Sequence, residues 1–199
     1  MLIDHELYAL GWLSFAVFHS ILARSWATAR LEAWFGHAQR LVYNLIAFVH
    51  LGVVLALGFW LLDKSFYAWP GWLHLLLGAI ALAGVGIIAS SVRAHDAATF
   101  FGIRQLMQQG SELPARLQTD GMYAWVRHPI YFGTLLLFWG LAQMPLGVAT
   151  ACWGTLYLVI GSLFEERDLV ARYGDSYRDY QRRVPMLIPM GGMQKSECK

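Results

Sequence analysis

Residues 121–131 read Gly121-Met122-Tyr123-Ala124-Trp125-Val126-Arg127-His128-Pro129-Ile130-Tyr131. A polar, aromatic-rich loop ends in this stretch, and a run of 37 residues without Asp, Glu, Lys or Arg, His128 to Phe164, begins in it. Proline lacks an N–H and has its φ preset, so Pro129 suits the first turn of a helix. Arg127 and His128 are therefore expected at a helix N-terminus on a membrane surface. Free backbone N–H groups and the positive end of the helix dipole gather there, and both favour a bound carboxylate or phosphate. A second polar cluster, Glu165-Glu166-Arg167-Asp168, closes the same apolar run. The two clusters are expected to meet around one ligand.

The rest of the chain supports the membrane setting. Only 14% of the 199 residues are charged, against roughly 25% in soluble domains. The charges are also segregated: 7–23, 41–62, 65–92 and 128–164 carry none. Such runs, at about 18 residues or more, predict membrane-spanning helices. The fold class expected is an all-α integral membrane protein with about five transmembrane helices. Asp4 and Glu6 stand where a secretory signal would place Lys or Arg, so no cleavable signal is expected. Cys152 lies inside an apolar run and Cys198 is next to last, which predicts neither a disulfide nor a cysteine-based metal site.

In chain order, the predicted spans are Leu7–Leu22, Leu41–Leu62, Trp72–Ser91, Ile130–Gln143 and Val148–Phe164. Residues 24–40 interleave Arg24, Arg30 and Arg40 with Trp26, Leu31, Trp34 and Phe35, the pattern of an amphipathic segment in the headgroup layer. The small residues Gly78, Ala79, Ala81, Ala83, Gly84 and Gly86 predict close helix packing by the third span. Gln143-Met144-Pro145-Leu146-Gly147 breaks the 37-residue run into a tight helical hairpin. The fifth span is expected to continue past Glu165 as a soluble helix. Every Lys and Arg except Lys64 falls in the first or third connection or the tail. The positive-inside rule then places the N-terminus outside, and residues 92–127 and the C-terminus in the cytoplasm. Three regions follow: 1–91 with the first three spans, 92–189 with the chemistry, and a tail, 190–199, expected to be flexible.

Gly121-x-Tyr123-x-x-x-Arg127-His128-Pro129-x-Tyr131-x-Gly133, Glu165-Glu166 about thirty residues later, and Gly174-Asp175-x-Tyr177-x-x-Tyr180-x-x-x-Val184-Pro185 form an ordered set. It resembles the isoprenylcysteine carboxyl methyltransferase superfamily, which includes phospholipid N-methyltransferases, over roughly residues 92–188. Phe101-Gly102-x-Arg104-Gln105, Glu165-Glu166-Arg167-Asp168-Leu169, Val184-Pro185-Met186-Leu187-Ile188-Pro189, Phe18-His19-Ser20 and Arg40-x-x-Tyr43-Asn44 are similar to the bacterial methanethiol S-methyltransferase subgroup. One departure stands out. The carboxyl methyltransferases carry an Arg one turn before the Glu pair, and here that turn reads Gly161-Ser162-Leu163-Phe164. That argues against a prenylcysteine carboxylate as substrate.

The resemblance implies S-adenosylmethionine as cofactor, a cytoplasmic pocket, and a bacterial inner membrane. The pocket would be built from the third connection, the N-terminus of the fourth span and the end of the fifth. The cofactor-binding positions implied are Gln105, Leu117, Tyr123, His128, Pro129, Ile130, Tyr131, Glu165 and Glu166. The residue chemistry agrees. His128 and nearby amides suit a carboxylate, and Glu165 or Glu166 suits an amino group or ribose hydroxyls. Tyr123, Trp125 and Tyr131 suit a sulfonium or an adenine face, although Tyr and Trp at a membrane surface are more often an interfacial belt. Gln105 suits the adenine edge. Arg127 reads as a topology determinant more than a ligand contact.

Arg104, as catalytic and substrate-binding residue, and His19, as substrate-binding residue, complete the expected site; Arg104, His19 or His95 would lower the pKa of a thiol or take its proton. The substrate expected is a small thiol, with no metal, nucleic acid or obligatory protein partner. Carboxyl or lipid-amine methylation is the alternative. An NADPH-dependent reductase of the sterol C14/5α type is the second. It would want more basic residues than Arg93, Arg104, Arg116 and Arg127. No Rossmann glycine fingerprint appears, which excludes a soluble-type methyltransferase, and haem between His19 and His50 needs facing side chains that a sequence cannot show.

Overall fold

The computed structural model describes residues 2–94 and 117–189, which are helical and contain no strand. The helices are α1 (Leu2–Leu22), α2 (Ser25–Phe35), α3 (Gln39–Leu61), α4 (Gly71–Ala94), α5 (Pro129–Gly140), α6 (Pro145–Tyr173) and α7 (Asp175–Arg183), with short 3-10 turns at Gly36–Ala38 and Gly121–Ala124. All five predicted spans are helices, with ends within a few residues of those expected, except that α1 starts five residues early and α6 runs on to Tyr173.

By length and composition, three helical stretches can cross a bilayer: Ser25–Leu61, Gly71–Ala94 and Pro145–Tyr173. Their surfaces agree, because Trp60, Leu75 and Leu82 are almost fully exposed on α3 and α4, where water would make them costly. This is a membrane protein. The other two predicted spans fall short of that measure for separate reasons. Helix α1 begins with Asp4, His5 and Glu6 and carries Ser14 and His19. Helix α5 has 12 residues, about 18 Å at 1.5 Å per residue.

Two packing systems position the site. The first is the α4/α5 pair. An added Cβ on Gly133 would come within 2.8 Å of the Gly84 carbonyl oxygen, and one on Gly140 within 2.5 Å of the Ala81 amide nitrogen, so the backbones themselves are in contact. This is the close approach that small residues allow in membranes. It uses Ala81 and Gly84 of the predicted set, whereas Gly78 and Gly86 face open space.

The second system is the seam of α1, α3 and α6. Tyr8, Trp12, Phe15 and His19 recur at helical spacing on one face of α1. Tyr8, Trp12 and Phe15 form a buried cluster with Val54 and Leu62, packed on Phe138, Trp153 and Tyr157. The hairpin between α5 and α6 is fastened at its turn. Gln143 donates to the Gly140 carbonyl at 2.9 Å and pairs with His74 of α4 at 2.6 Å.

Candidate active site

The two polar clusters meet. Helix α5 starts at Pro129, and His128 before it caps nothing with its side chain. This turn is tied to the segment after α7: the Arg127 amide donates to the Pro185 carbonyl at 2.9 Å and the His128 amide to the Met186 carbonyl at 3.1 Å. The ordered Val184-Pro185-Met186 segment thus fixes where Arg127 and His128 point.

They point at Glu166. Its Oε1 accepts hydrogen bonds from Arg127 Nε at 2.9 Å, His128 Nε2 at 2.7 Å and the Tyr177 hydroxyl at 2.7 Å. Its Oε2 accepts from Arg127 Nη2 at 2.8 Å and from the Gln181 amide. The remaining Arg127 nitrogen, Nη1, donates to the carbonyls of Gln181 and Val184. Both carboxylate oxygens are filled, and the Glu166 side chain is 9% exposed. Burial disfavours its charge, but the bonds from Arg127, Gln181, Tyr177 and His128 outweigh that and hold the carboxyl at about 2. Glu166 lies two residues beyond the uncharged run, on the part of α6 that leaves the apolar span.

Glu165 faces differently. Consecutive helical residues point about 100° apart, so the pair cannot share one environment. Glu165 Oε2 accepts from the Tyr131 hydroxyl at 2.7 Å and lies 3.6 Å from His128 Nδ1, and its side chain is 45% exposed. The rings of His128 and Tyr131 stack at 5.4 Å with planes 12° apart. The carboxylate accepts from His128 Nε2, so Nε2 carries a proton and Nδ1 is the ring atom turned toward Glu165. The amides of Ile130 and Tyr131 stand in the first turn of α5, where no intrahelical acceptor exists.

Around this core, Tyr123 is buried, and its carbonyl accepts from the Tyr180 hydroxyl. Burial, and then the charge of Glu165, push the Tyr123 phenol up to about 12. Burial, followed by its bond to Glu166, pushes the Tyr177 phenol up as well. Trp125 is exposed, as an interfacial ring would be.

Of the expected site residues, His128, Pro129, Ile130, Tyr131, Tyr123, Glu165 and Glu166 are therefore gathered in one place, with Leu117 half-buried in the irregular stretch that leads in. Arg104, Gln105 and His95 lie outside the described residues. His19 sits elsewhere, at the cytoplasm-directed end of the α1/α3/α6 seam under the topology expected above. Its Nε2 pairs with the Tyr43 hydroxyl at 2.8 Å and its Nδ1 with the Tyr157 hydroxyl at 3.0 Å. Arg127 does more than set topology: its fork clamps Glu166. The partners Gln181, Tyr177, Tyr43 and Tyr157 were not assigned from sequence. Tyr177 and Tyr43 did stand in the motif patterns quoted above, which was the available signal. Among the described residues no His, Cys, Asp or Glu cluster could hold a metal ion.

This geometry gives a stacked His/Tyr pair, a half-open carboxylate and a helix N-terminus, fixed from behind by a saturated Arg–Glu clamp. The phospholipid methyltransferase family profile matches residues 72–176, which hold α4, the loop, α5, α6 and the whole Arg127–Glu166 pair. The chain is 34% identical over 189 residues to methanethiol S-methyltransferase 2 of Bradyrhizobium diazoefficiens, covering 88% of this chain and 69% of that protein. It is 32% identical over 191 residues to the methanethiol S-methyltransferase of Mycobacterium tuberculosis, covering 88% and 74%. A shorter match, 43% identical over 83 residues, joins it to the protein-S-isoprenylcysteine O-methyltransferase of Schizosaccharomyces pombe, covering 37% of this chain and 33% of that one. No solved structure matches the chain. The chain belongs to the phospholipid methyltransferase family. It is a membrane enzyme that transfers methyl groups.

Proposed function

We propose that this enzyme moves the methyl group of S-adenosylmethionine to a small thiol of the methanethiol class, giving a thioether. The observation that carries the donor half is the unequal Glu pair. Glu166 is saturated by protein donors, while Glu165 has one such donor among the described residues and is half-open. The donor set fits S-adenosylmethionine. The Ile130 and Tyr131 amides, with His128 Nδ1 if it carries a proton, suit its carboxylate, and Glu165 suits its amino group or ribose hydroxyls. Tyr131 and Tyr123 are aromatic faces for a cation. When bound, the donor supplies an electrophilic methyl carbon. The chain holds Glu165 and Tyr131 in register through α5 and α6, keeps Glu166 charged and occupied so that it does not compete, and excludes water with the apolar run beside His128.

The acceptor half rests on the relatives. The methanethiol S-methyltransferases match over most of this chain. Residues 161–164 also offer no Arg for a substrate carboxylate. Five spans with both clusters on the cytoplasmic side of a bacterial inner membrane complete the reading, with the chain acting without an obligatory protein partner. Purified protein supplied with methyl-labelled S-adenosylmethionine should label methanethiol. Calorimetric titration with S-adenosylhomocysteine should give saturable binding, while NADPH should give none. Binding of NADPH alone would replace this reading with a reductase.

A further inference from the structure

We infer that Tyr157 and His19 form the proton relay for the acceptor thiol, resting on the thiol reading above. The two rings stand in the α1/α3/α6 seam, with Tyr157 Oη 3.0 Å from His19 Nδ1 and Tyr43 Oη 2.8 Å from His19 Nε2. A neutral imidazole has one N–H and one lone pair, so one tyrosine donates to the ring and the other accepts from it. A hydroxyl held against a ring lone pair can pass its proton to the ring while taking another. Tyr157 is the hydroxyl placed for this, because it stands on α6 about two turns before Glu165. Tyr131 of α5 bonds Glu165, and α5 packs on α6, so the relay and the donor pocket share one helix.

A second observation points to a ligand in this seam. Two turns from His19 on the same face of α1, the Trp12 indole N–H is buried, at 3% exposure, and has no partner among the described residues. An orphaned buried donor is costly, and a thiolate or thioether sulfur is an acceptor that would relieve it. The side chains packed around it include Phe15, Phe138 and Val54, apolar neighbours for a small alkyl group.

Facing His19 are Tyr43 from α3, Tyr157 from α6, and the Phe15 ring, which also meets His50 of α3. Arg24, Arg30 and Glu32, on or beside α2, and Arg40 of α3 are exposed; Asp4 and Glu6 stand at the far end of α1, and Glu165 and Glu166 lie about two turns or more further along α6. The step balances as follows. The thiol S–H bond breaks and leaves its electron pair on sulfur. Its proton goes to Tyr157 Oη, which passes its own proton to His19 Nδ1. The sulfur pair forms the new bond to the methyl carbon, and the old sulfur–methyl pair stays with the donor sulfur. The imidazolium then releases one proton to water.

A merely structural role, gluing three helices, would slow every acceptor alike. The relay slows only acceptors that must lose a proton, so the test compares ethanethiol with 2,2,2-trifluoroethanethiol, a similar-sized thiol made more acidic by fluorine. Tyr157→Phe should lower kcat with ethanethiol about 100-fold, the scale of general-base catalysis, and with trifluoroethanethiol by less than a tenth of that factor. His19→Gln should reproduce the split and serves if Tyr157→Phe does not fold. Outside turnover, the parent loaded with sinefungin, a cationic analogue that transfers no methyl, should bind trifluoroethanethiol as thiolate, read by its ultraviolet absorption, and both variants should show less. Equal losses for both thiols, no loss for either, or the same thiolate band in parent and variants overturns the relay. If the unaltered protein methylates neither thiol yet binds S-adenosylhomocysteine, the thiol reading itself fails, and the relay with it.

Discussion

Two adjacent glutamates of the same chemistry are expected to fail in different ways when changed. Glu165→Gln removes a charged acceptor from a half-open position. It should weaken S-adenosylhomocysteine binding by roughly 1.5–3 kcal/mol, the range for a hydrogen bond to a charged group, while thermal unfolding in detergent stays near the parent. Arg127→Ala strands the buried Glu166 charge and should cost roughly 3–5 kcal/mol of stability. Equal melting temperatures for Arg127→Ala and the parent would show that the clamp holds nothing.

Glu166 also predicts an acid limit. Its folded carboxyl sits at about 2, below the ordinary 4.5. Its contribution is therefore complete above about 4.5 and is lost as pH falls toward 2. The difference in stability between the parent and Glu166→Gln should shrink across that window. A difference that is flat with pH would contradict the assignment.

At this scale the sequence was partly legible. The RHP stretch and the Glu pair could be brought together because each closes one end of a single apolar run. Which glutamate faces the ligand was not legible, since Arg127, Gln181 and Tyr177 reach Glu166 from positions 39, 15 and 11 residues away, separations that no periodicity relates. The Tyr43 and Tyr157 partners of His19 were hidden for the same reason.

Among the elements, α4 and α5 show how close packing places chemistry. Gly84, Gly133 and Gly140 let the two backbones touch, so the short α5 holds its N-terminus, and with it His128 and Tyr131, at a fixed depth. Gly133→Val should therefore destabilise the protein and reduce methyl transfer, whereas Gly86→Val, which meets open space, should change neither. Similar melting temperatures for the two variants would refute this packing role. The hydrophobic runs revealed α1, α3, α4, α5 and α6. They could not tell the tight face of α4 from its lipid face, because Gly78, Gly84 and Gly86 look alike until their partners are known. The end of α6 was clearer: Gly174 has φ of 59°, a left-handed conformation that only glycine adopts readily, and α7 begins at once.

For the whole molecule, the proposed five-span reading puts the chemistry on one side by the charge map. In a background lacking Cys152 and Cys198, a cysteine at the exposed Ser65 should be labelled from outside and one at the exposed Ser176 only after permeabilisation. Labelling of both from the same side would rule the arrangement out. Helices α1 and α5 would cross as packed members of the bundle, α1 satisfying its polar groups against α3 and α6. That explains why composition alone singles out three stretches.

The central claim is methyl transfer to a small thiol, and an acceptor competition measures it most directly. Purified enzyme is given methyl-labelled S-adenosylmethionine with methanethiol, a prenylcysteine analogue and phosphatidylethanolamine together. The account predicts label in dimethyl sulfide, with the label lost in Glu165→Gln. Label in the prenylcysteine ester or the lipid amine, with methanethiol left unmodified, would contradict it.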